Sequence, residues 1–428
     1  MQGKALPGFR DFYPDDLALR NHIFSVWRSV ARRYGFEEYD GPPLEALELY
    51  TQKSGDEIVG QLYSFTDKGD RQVALRPEMT PTLARMVGAR AQALKKPIRW
   101  FSMPQLFRYE RQQRGRLREH FQLNCDIIGE AGPLADAELI AAAVDMLRAF
   151  GMGAGDVTVR VSDRRVLQAL LAQAGVAEAQ LGAAYWAIDR IDKMPRPALE
   201  AELVAKLGSP KHAALARRVF EVTEVRDEAA LRARKIDDAA APLLECLTAL
   251  RAMGLAEFIA LDLSIVRGLA YYDGIVFEMF DAQKSLRAIC GGGRYDGLLK
   301  ALGGVDLPAL GFGMGDVVLG ELLKERGKVP AAAPQLDAFL IAVSGEDVAP
   351  VLTLAHQLRD RGLAVEFGLR QANIRKQMEL AVAHGARRAV IIGPTERQAG
   401  EAVIRHLDGG TEERVPLAAL AAALGARG

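Results

Sequence analysis

Phe107–Glu130 reads FRYERQQRGRLREHFQLNCDIIGE, and the rest of the chain is best read outward from it. Arg108, Arg111, Arg114, Arg116 and Arg118 are crowded into its first half, with Glu110 and Glu119 among them and Gly115 breaking the run. The flanks, Ile98–Tyr109 and Phe121–Ile128, carry the aromatic and β-branched residues of strands. Two strands joined by a basic loop can hold a polyphosphate. Guanidinium groups bind phosphate bidentately and keep their charge at any working pH. Taken alone, the same pattern fits a solvated hairpin with surface arginines.

Upstream, Pro14-Asp15-Asp16 marks a helix start, with proline in the first turn and acids at the positive end of the dipole. Ile23, Trp27, Val30 and Tyr34 repeat at helical spacing until Gly35. A short strand runs from Phe36 to Pro42-Pro43, and others are predicted near Gln61–Phe65 and Gln72–Leu75. Downstream, the pattern predicts a helix over Asp136–Phe150 and a strand over Val157–Val161. From about Arg164 to Gly254, Ala and Leu dominate and charges alternate, which predicts a helical insertion. Strands return at Phe258–Val266, Gly274–Phe280 and Arg287–Cys290, before a helix from Gly313 to Arg326.

Residues 331–336, in a Pro- and Ala-rich stretch that begins at Val329, read as a linker between a domain over 1–330 and one over 337–428. The second domain alternates. Strands are predicted at Ala338–Val343, Ala364–Phe367, Ala389–Ile392 and Ala402–His406, with helices at Asp347–Arg361, Asn373–His384 and the terminus. Such alternation implies an α/β domain with a mostly parallel sheet.

Composition narrows the function classes. The 428 residues are 49% hydrophobic, enough for real cores and too many for a disordered chain. Lys+Arg and Asp+Glu are 55 each, so net charge names no partner; local patches decide phosphate binding. Cys125, Cys246 and Cys290 have neither zinc-ligand nor disulfide spacing, and a reducing, cytoplasmic setting is expected. The six histidines likewise lack metal-ligand spacing. No P-loop pattern occurs, and neither a signal peptide, an organellar leader before Pro7 nor a membrane span is expected.

Four segments together carry a resemblance. Phe107–Glu130 resembles the second signature of class II aminoacyl-tRNA synthetases in its histidine-specific form. LRPEMT (Leu75–Thr80), SIVRGLAYYDGIVFEMF (Ser264–Phe280) and AICGGGRYDGLL (Ala288–Leu299) resemble the family's other histidine-specific segments. Pro7–Asp11 resembles its opening, the helix to Gly35 with Pro42–Glu45 its first signature, and the segment after Pro334 its anticodon-binding domain. The resemblance implies an α+β class II catalytic domain, an antiparallel sheet flanked by helices with a helical insertion, followed by a C-terminal α/β anticodon-binding domain. It also implies a homodimer, with the first signature as dimer element.

By the same resemblance, Arg108 contacts the α-phosphate and the substrate carboxylate, and Arg267 clamps the α-phosphate from the other side. Glu110 faces the adenine amino group and Arg116 the phosphate tail. Glu78 and Thr80 receive the substrate ammonium, which requires an anionic and a hydroxyl acceptor. Gln122 and Asp126 line the histidine pocket, and Tyr271 and Tyr272 wall the imidazole. Neighbours on a strand face opposite ways, so one of the two tyrosines fits a core position equally well. Gly291, Gly292 and Gly293 read as a turn where backbone approaches ligand. L-Histidine, ATP with Mg²⁺ and tRNA are the implied partners. The amino acid carboxylate, already ionised at neutral pH, attacks the α-phosphorus without a general base. A tRNA 3′ hydroxyl then takes the histidine from the adenylate. A pocket built on polar geometry rejects analogues by about 10⁴–10⁵ without editing, so no editing role is assigned to the insertion.

Four positions depart from the family pattern. Gln112 stands where many relatives have Pro, Asp126 where many have Glu, and Ala270 where Asp is common. Val318, in GFGMGDVVLGELL (Gly311–Leu323), stands at the arginine of the third class II signature. Arg114 or Arg116 is therefore expected to cover the ATP tail. The rival reading is a catalytically altered paralogue, the regulatory subunit of ATP phosphoribosyltransferase. Such a subunit lacks the C-terminal α/β domain and is not expected to keep Arg108, Arg267 and the glycine triplet together.

Overall fold

Between Ala309 and Gly315 bulky and bare residues alternate: Leu310, Gly311, Phe312, Gly313, Met314, Gly315. Side chains of a strand point to opposite faces in turn, so this strand has one apolar face and one without side chains. Leu310, Phe312 and Met314 are buried, and the strand lies in the middle of a nine-stranded sheet. The computed structural model describes residues 3–51, 59–111, 113, 115–266, 272–283, 286–329 and 336–425. They fall into two units, Met1–Pro330 and Ala331–Gly428.

In the first unit eight strands of this sheet lie in the order Glu37–Glu38, Ile98–Ser102, Glu119–Ile128, Ala309–Gly315, Cys290–Arg294, Ile275–Asp281, Val157–Asp163, Ile259–Leu261, and the ninth, Gln105–Phe107, pairs with Glu119–Ile128 off this path. Pairing is antiparallel through the middle and parallel at the two ends. One face rests on helices Pro14–Arg33, Pro133–Ala149 and Asp237–Ala252. Trp27, Leu123, Cys125, Ile127, Val144, Leu147, Phe277 and Met279 belong to the core between them. Arg294 and Asp136, each 3% exposed, form an ion pair at 2.5 Å that ties a central strand to the helix Pro133–Ala149. Between Val157–Asp163 and its parallel neighbour Ile259–Leu261 the chain is helical, from Arg164–Gln173 to Asp237–Ala252.

Several strands differ from expectation. The strand predicted over Ile98–Tyr109 is two, Ile98–Ser102 and Gln105–Phe107. Pro104 between them has no amide hydrogen for a ladder, and its carbonyl accepts from Gln122 N at 3.1 Å. The Phe258–Val266 strand stops at Leu261, because Asp262 turns the chain by accepting from Ser264 N and Oγ at 3.0 and 2.6 Å. The glycine triplet is not a turn. It lies inside the strand Cys290–Arg294, where Gly292 and Gly293 allow neighbouring strands to close in. A Cβ on Gly292 would sit 2.3 Å from the Gly311 carbonyl, and one on Gly293 2.7 Å from that of Ile275.

The second unit has the sheet order Val365–Phe367, Ala338–Ala342, Arg388–Ile392, Glu401–His406, Glu412–Pro416. The first three strands are parallel, but Glu401–His406 and Glu412–Pro416 pair antiparallel, so the sheet is mixed rather than mostly parallel. The last strand escaped the sequence reading because EERVP has one buried side chain, Val415, and hence no apolar alternation. Ala338–Ala342 is apolar throughout because both its faces are covered, Leu340 in one core and Phe339 and Ile341 in another.

Candidate active site

The bare face of the central sheet is the floor of a pocket. Gly291, Gly313 and Gly315 line it, with Gln122 and Glu278 from the flanking strands. Gly291 pairs with both Glu278 and Gly313, and Gly315 pairs with Gln122. The same alternation brings Gly311 opposite Asp126 and Gly293 opposite Val276. Two side chains lean across this strip. A Cβ on Gly311 would lie 1.9 Å from Asp126 Oδ1, and one on Gly313 within 2.9 Å of the Gln122 amide. Glycine therefore gives these two polar groups their place as well as clearing the floor.

Asp126 is 4% exposed, and Tyr295 Oη donates to its Oδ1 at 2.5 Å. Burial pushes its carboxyl up to about 7, against the hydrogen bond from Tyr295, which lowers it. Tyr272, also buried, stands edge-on to Tyr295 with ring centroids 6.5 Å apart. Asp126, Tyr295, Tyr272, Gly293 and Gly311 thus form one polar and aromatic cluster beside the pocket.

The basic loop forms a wall, and its arginines have different fates. Arg108 Nε donates to the Pro77 carbonyl at 2.9 Å, next to the buried Glu78 and close in sequence to half-buried Thr80, which opens the helix Thr80–Arg90. Arg116 forms an ion pair with Glu110, itself 7% exposed, and both line the pocket. The Arg118 guanidinium stacks over the Tyr109 ring at 4.0 Å. Arg111 is exposed. In the same neighbourhood, Arg76 of the Leu-Arg-Pro-Glu segment braces the site, donating to Asp40 at 2.9 Å and to the Gln105 and Gly41 carbonyls.

The N-terminal segment holds the base of this loop. The Gly8 carbonyl accepts from Arg118 N at 3.0 Å and from Glu119 N at 3.3 Å. At φ +87° a side chain would be strained there, and its Cβ would fall 2.7 Å from Arg118 Cγ. Arg10 joins Glu119 at 2.6 Å to Asp316 at 2.9 Å, and Asp316 accepts from Phe121 N at 2.9 Å. Gln105 Nε2 donates to Glu119 at 2.9 Å. The start of the chain, the loop and the helix Asp316–Glu325 meet in this network.

Arg108, Glu110, Arg116, Gln122 and Gly291 border one pocket, whereas Asp126 and Tyr272 belong to the adjoining cluster. Arg267 and Tyr271, with Ala270, Gln112 and Arg114, lie outside the described residues. The sequence reading missed several groups. Tyr295 was inside a quoted segment, yet only the fold brings it to Asp126. The Leu-Gly-Phe-Gly-Met-Gly alternation of Leu310–Gly315 was a legible signal for a side-chain-free face. Arg287 and His120 also line the pocket. Burial first, then Arg108 and Arg10, push the His120 imidazolium down to about 3, so its ring is neutral. Among the described residues, no group of three or more His, Cys, Asp or Glu is arranged to hold a metal ion. No helix among them is long and apolar enough to cross a membrane.

A family model described as Histidyl-tRNA synthetase matches residues 8–315, and one described as Anticodon binding domain matches residues 337–427. A protein of Opitutus terrae named Histidine--tRNA ligase is 46% identical over 420 residues, with 96% of each chain covered. One of Arabidopsis thaliana, named Histidine--tRNA ligase, chloroplastic/mitochondrial, is 42% identical over 96% of this chain and 85% of its own. Among solved structures, histidyl-tRNA synthetase from a Nostoc species superposes with a TM-score of 0.84 at 24% identity, covering 99% of each chain. A Bacillus halodurans structure described as an ATP phosphoribosyltransferase regulatory subunit/histidyl-tRNA synthetase reaches 0.74 at 21% identity, over 92% of this chain and 99% of that one. Likeness at such identity speaks to fold alone.

Proposed function

Since the chain belongs to the histidyl-tRNA synthetase family, we propose that it activates L-histidine with ATP and transfers it to the 3′ end of its tRNA. One observation carries this reading. A buried carboxylate with a tyrosine partner and a wall of guanidinium groups border the same side-chain-free strip of sheet. A ring that must be recognised by its N–H and a phosphate that must be neutralised find their complements side by side.

In this reading Asp126 accepts the imidazole N–H, with Gln122 and the tyrosines Tyr271 and Tyr272 completing the pocket. An apolar amino acid would leave these groups unpaired, which supports discrimination without editing. Glu78 and Thr80 take the ammonium. Arg108, held by the Pro77 carbonyl, reaches the carboxylate and the α-phosphate, and the family resemblance gives Arg267 the same phosphate. Glu110 accepts from the adenine amino group. Arg116 cancels the Glu110 charge, which would otherwise repel a polyanion. The reacting carboxylate is already ionised, so catalysis rests on positioning and charge neutralisation. Glu278, on the pocket floor, would be the carboxylate that holds Mg²⁺ beside the substrate phosphates. When bound, the ion supplies positive charge to the phosphates.

The unit from Ala331 takes the anticodon end of the tRNA, a reading supported by the family match over residues 337–427. A homodimer is supported by the first-signature resemblance and by the exposed apolar residues Leu44 and Phe65 of a separate three-stranded sheet, Leu44–Ala46, Gln72–Leu75 and Tyr63–Thr66. The free, buried cysteines Cys125, Cys246 and Cys290 suit a reducing cytoplasm. The test is histidine-dependent ATP–pyrophosphate exchange, followed by tRNA-dependent formation of histidyl-tRNA. Exchange without histidine, or none with it, would overturn the proposal.

A further inference from the structure

Tyr272 belongs to the proposed histidine pocket, and the main chain from it to Gly274 is held from three sides. Asp273 N donates to the Arg294 carbonyl at 3.0 Å. The Asp273 carboxylate accepts from Asp296 N and Gly297 N, each at 3.2 Å. The third side is Arg164, whose main-chain N donates to the Gly274 carbonyl at 3.0 Å and whose Nη1 donates to the Tyr272 carbonyl at 2.7 Å.

Arg164 is the first residue of the helical insertion, in the helix Arg164–Gln173 that Asp163 caps by accepting from Arg165 N at 2.8 Å. Its guanidinium also lies over the ring of Tyr185, 5.4 Å from the centroid, in the insertion helix Leu181–Ile188. One side chain thus touches the insertion on one side and the main chain of the pocket on the other. The Tyr272 ring in turn occupies the space over Gly293, where a Cβ would lie 3.0 Å from its Cδ1. It stands edge-on to Tyr295, whose hydroxyl donates to Asp126. A shift of the Tyr272 main chain therefore carries to the carboxylate that reads the imidazole.

The surroundings of Arg164 do not favour its charge. It is half-buried, and its Nε is buried with no acceptor. Burial lowers its pKa, and Tyr185, Asp273 and Tyr272 offset that only in part. An apolar side chain would fill such a place at less cost to stability. What a guanidinium supplies is geometry: a planar fork that fixes a carbonyl at its edge and offers its face to an aromatic ring.

Resting on the histidine-activating reading, we propose that Arg164 is a positioning residue through which the helical insertion sets the histidine pocket. It acts through Tyr272, keeping that ring against Gly293 and Tyr295, while Tyr185 steadies the guanidinium. Arg108, Glu110 and Arg116 are held by other partners, so the ATP side of the site does not depend on it.

The experiment is ATP–pyrophosphate exchange with Arg164→Ala, Arg164→Lys and Tyr185→Leu beside the unmodified protein, each checked for a cooperative thermal melt. Arg164→Ala is expected to raise KM for histidine about tenfold, the effect of one lost charge-assisted hydrogen bond. KM for ATP is expected to stay within about twofold. Arg164→Lys should recover part of the loss, and Tyr185→Leu should raise KM for histidine about threefold. An unchanged KM for histidine in either Arg164→Ala or Tyr185→Leu overturns the proposal. So does an equal rise in KM for histidine and ATP, which would make Arg164 a general brace of the domain. Should Arg164→Ala not fold, Tyr185→Leu decides by the same split between the two substrates. Failure of the unmodified protein to exchange would instead remove the histidine-activating reading itself.

Discussion

At Asp126, burial and one neighbour act on the carboxyl in opposite directions. Burial raises its carboxyl to about 7 and Tyr295 restrains the rise. A protonated carboxyl is a poorer acceptor for a ring N–H, so KM for histidine is expected to fall as pH rises through about 7. Tyr295→Phe removes the restraint, and the midpoint of that pH profile is expected to move upward. A histidine KM flat from pH 6 to 8 in both proteins would take Asp126 out of recognition. Stability has the opposite sign. The folded value lies above the ordinary 3.8, so the folded state holds the proton more tightly. The contribution of Asp126 to stability is full at low pH and is lost as pH climbs from about 4 through about 7. Urea denaturation across that range measures it.

At the scale of elements, glycines on one strip of sheet do different work. Gly292→Ala pushes a Cβ to 2.3 Å from a backbone carbonyl, which cannot move without parting two strands. Overpacking of this kind is expected to cost about 2 kcal/mol or more, read as a lower urea midpoint. Gly315→Ala meets no atom within 4 Å, so stability should stay while ATP binding weakens, because Gly315 is pocket floor. Equal stability losses in the two variants would contradict this division. Arg10→Ala tests the clamp on the basic loop. Glu119 is 1% exposed and Asp316 5%, and each keeps one other partner, Gln105 or Phe121 N. The loss is therefore expected to be roughly 2–3 kcal/mol, below that of a fully stranded buried charge. A thermal melt within a degree of the unmodified protein would show that the clamp is not stabilising.

At the scale of the whole molecule, the two units have separate cores. A chain ending at Pro330 is expected to keep histidine-dependent pyrophosphate exchange within about threefold, because every described group of the proposed site lies in the first unit. Charging of tRNA should fall far more. If exchange were lost while the truncated protein still melted cooperatively, the second unit would be contributing to activation. Net charge gives no guide at this scale. Basic and acidic residues balance over the chain, and they also balance from Asp337 to Gly428.

Much of this protein was legible in its sequence, for local reasons. Helix starts and stops follow from Pro14, its neighbouring acids and Gly35. The helical texture after Arg164 follows from composition, and the basic loop from its arginines. The basic character of Phe107–Glu130 was legible too, but not how its arginines are partnered. Arg108, Arg116 and Arg118 look alike in sequence and differ in the fold, because one is held by the distant Pro77 carbonyl and the others fold back on Glu110 and Tyr109 of their own loop. Tertiary structure alone moved the glycine triplet from a turn into a central strand, since the need for glycine came from carbonyls of neighbouring strands. It alone brought Tyr295 to Asp126 and Arg164 to the Tyr272 carbonyl. Periodicity and turn chemistry act over a few residues and can be read in order along the chain. Burial, charge pairing and close approach depend on which distant segments meet, and that is decided by packing.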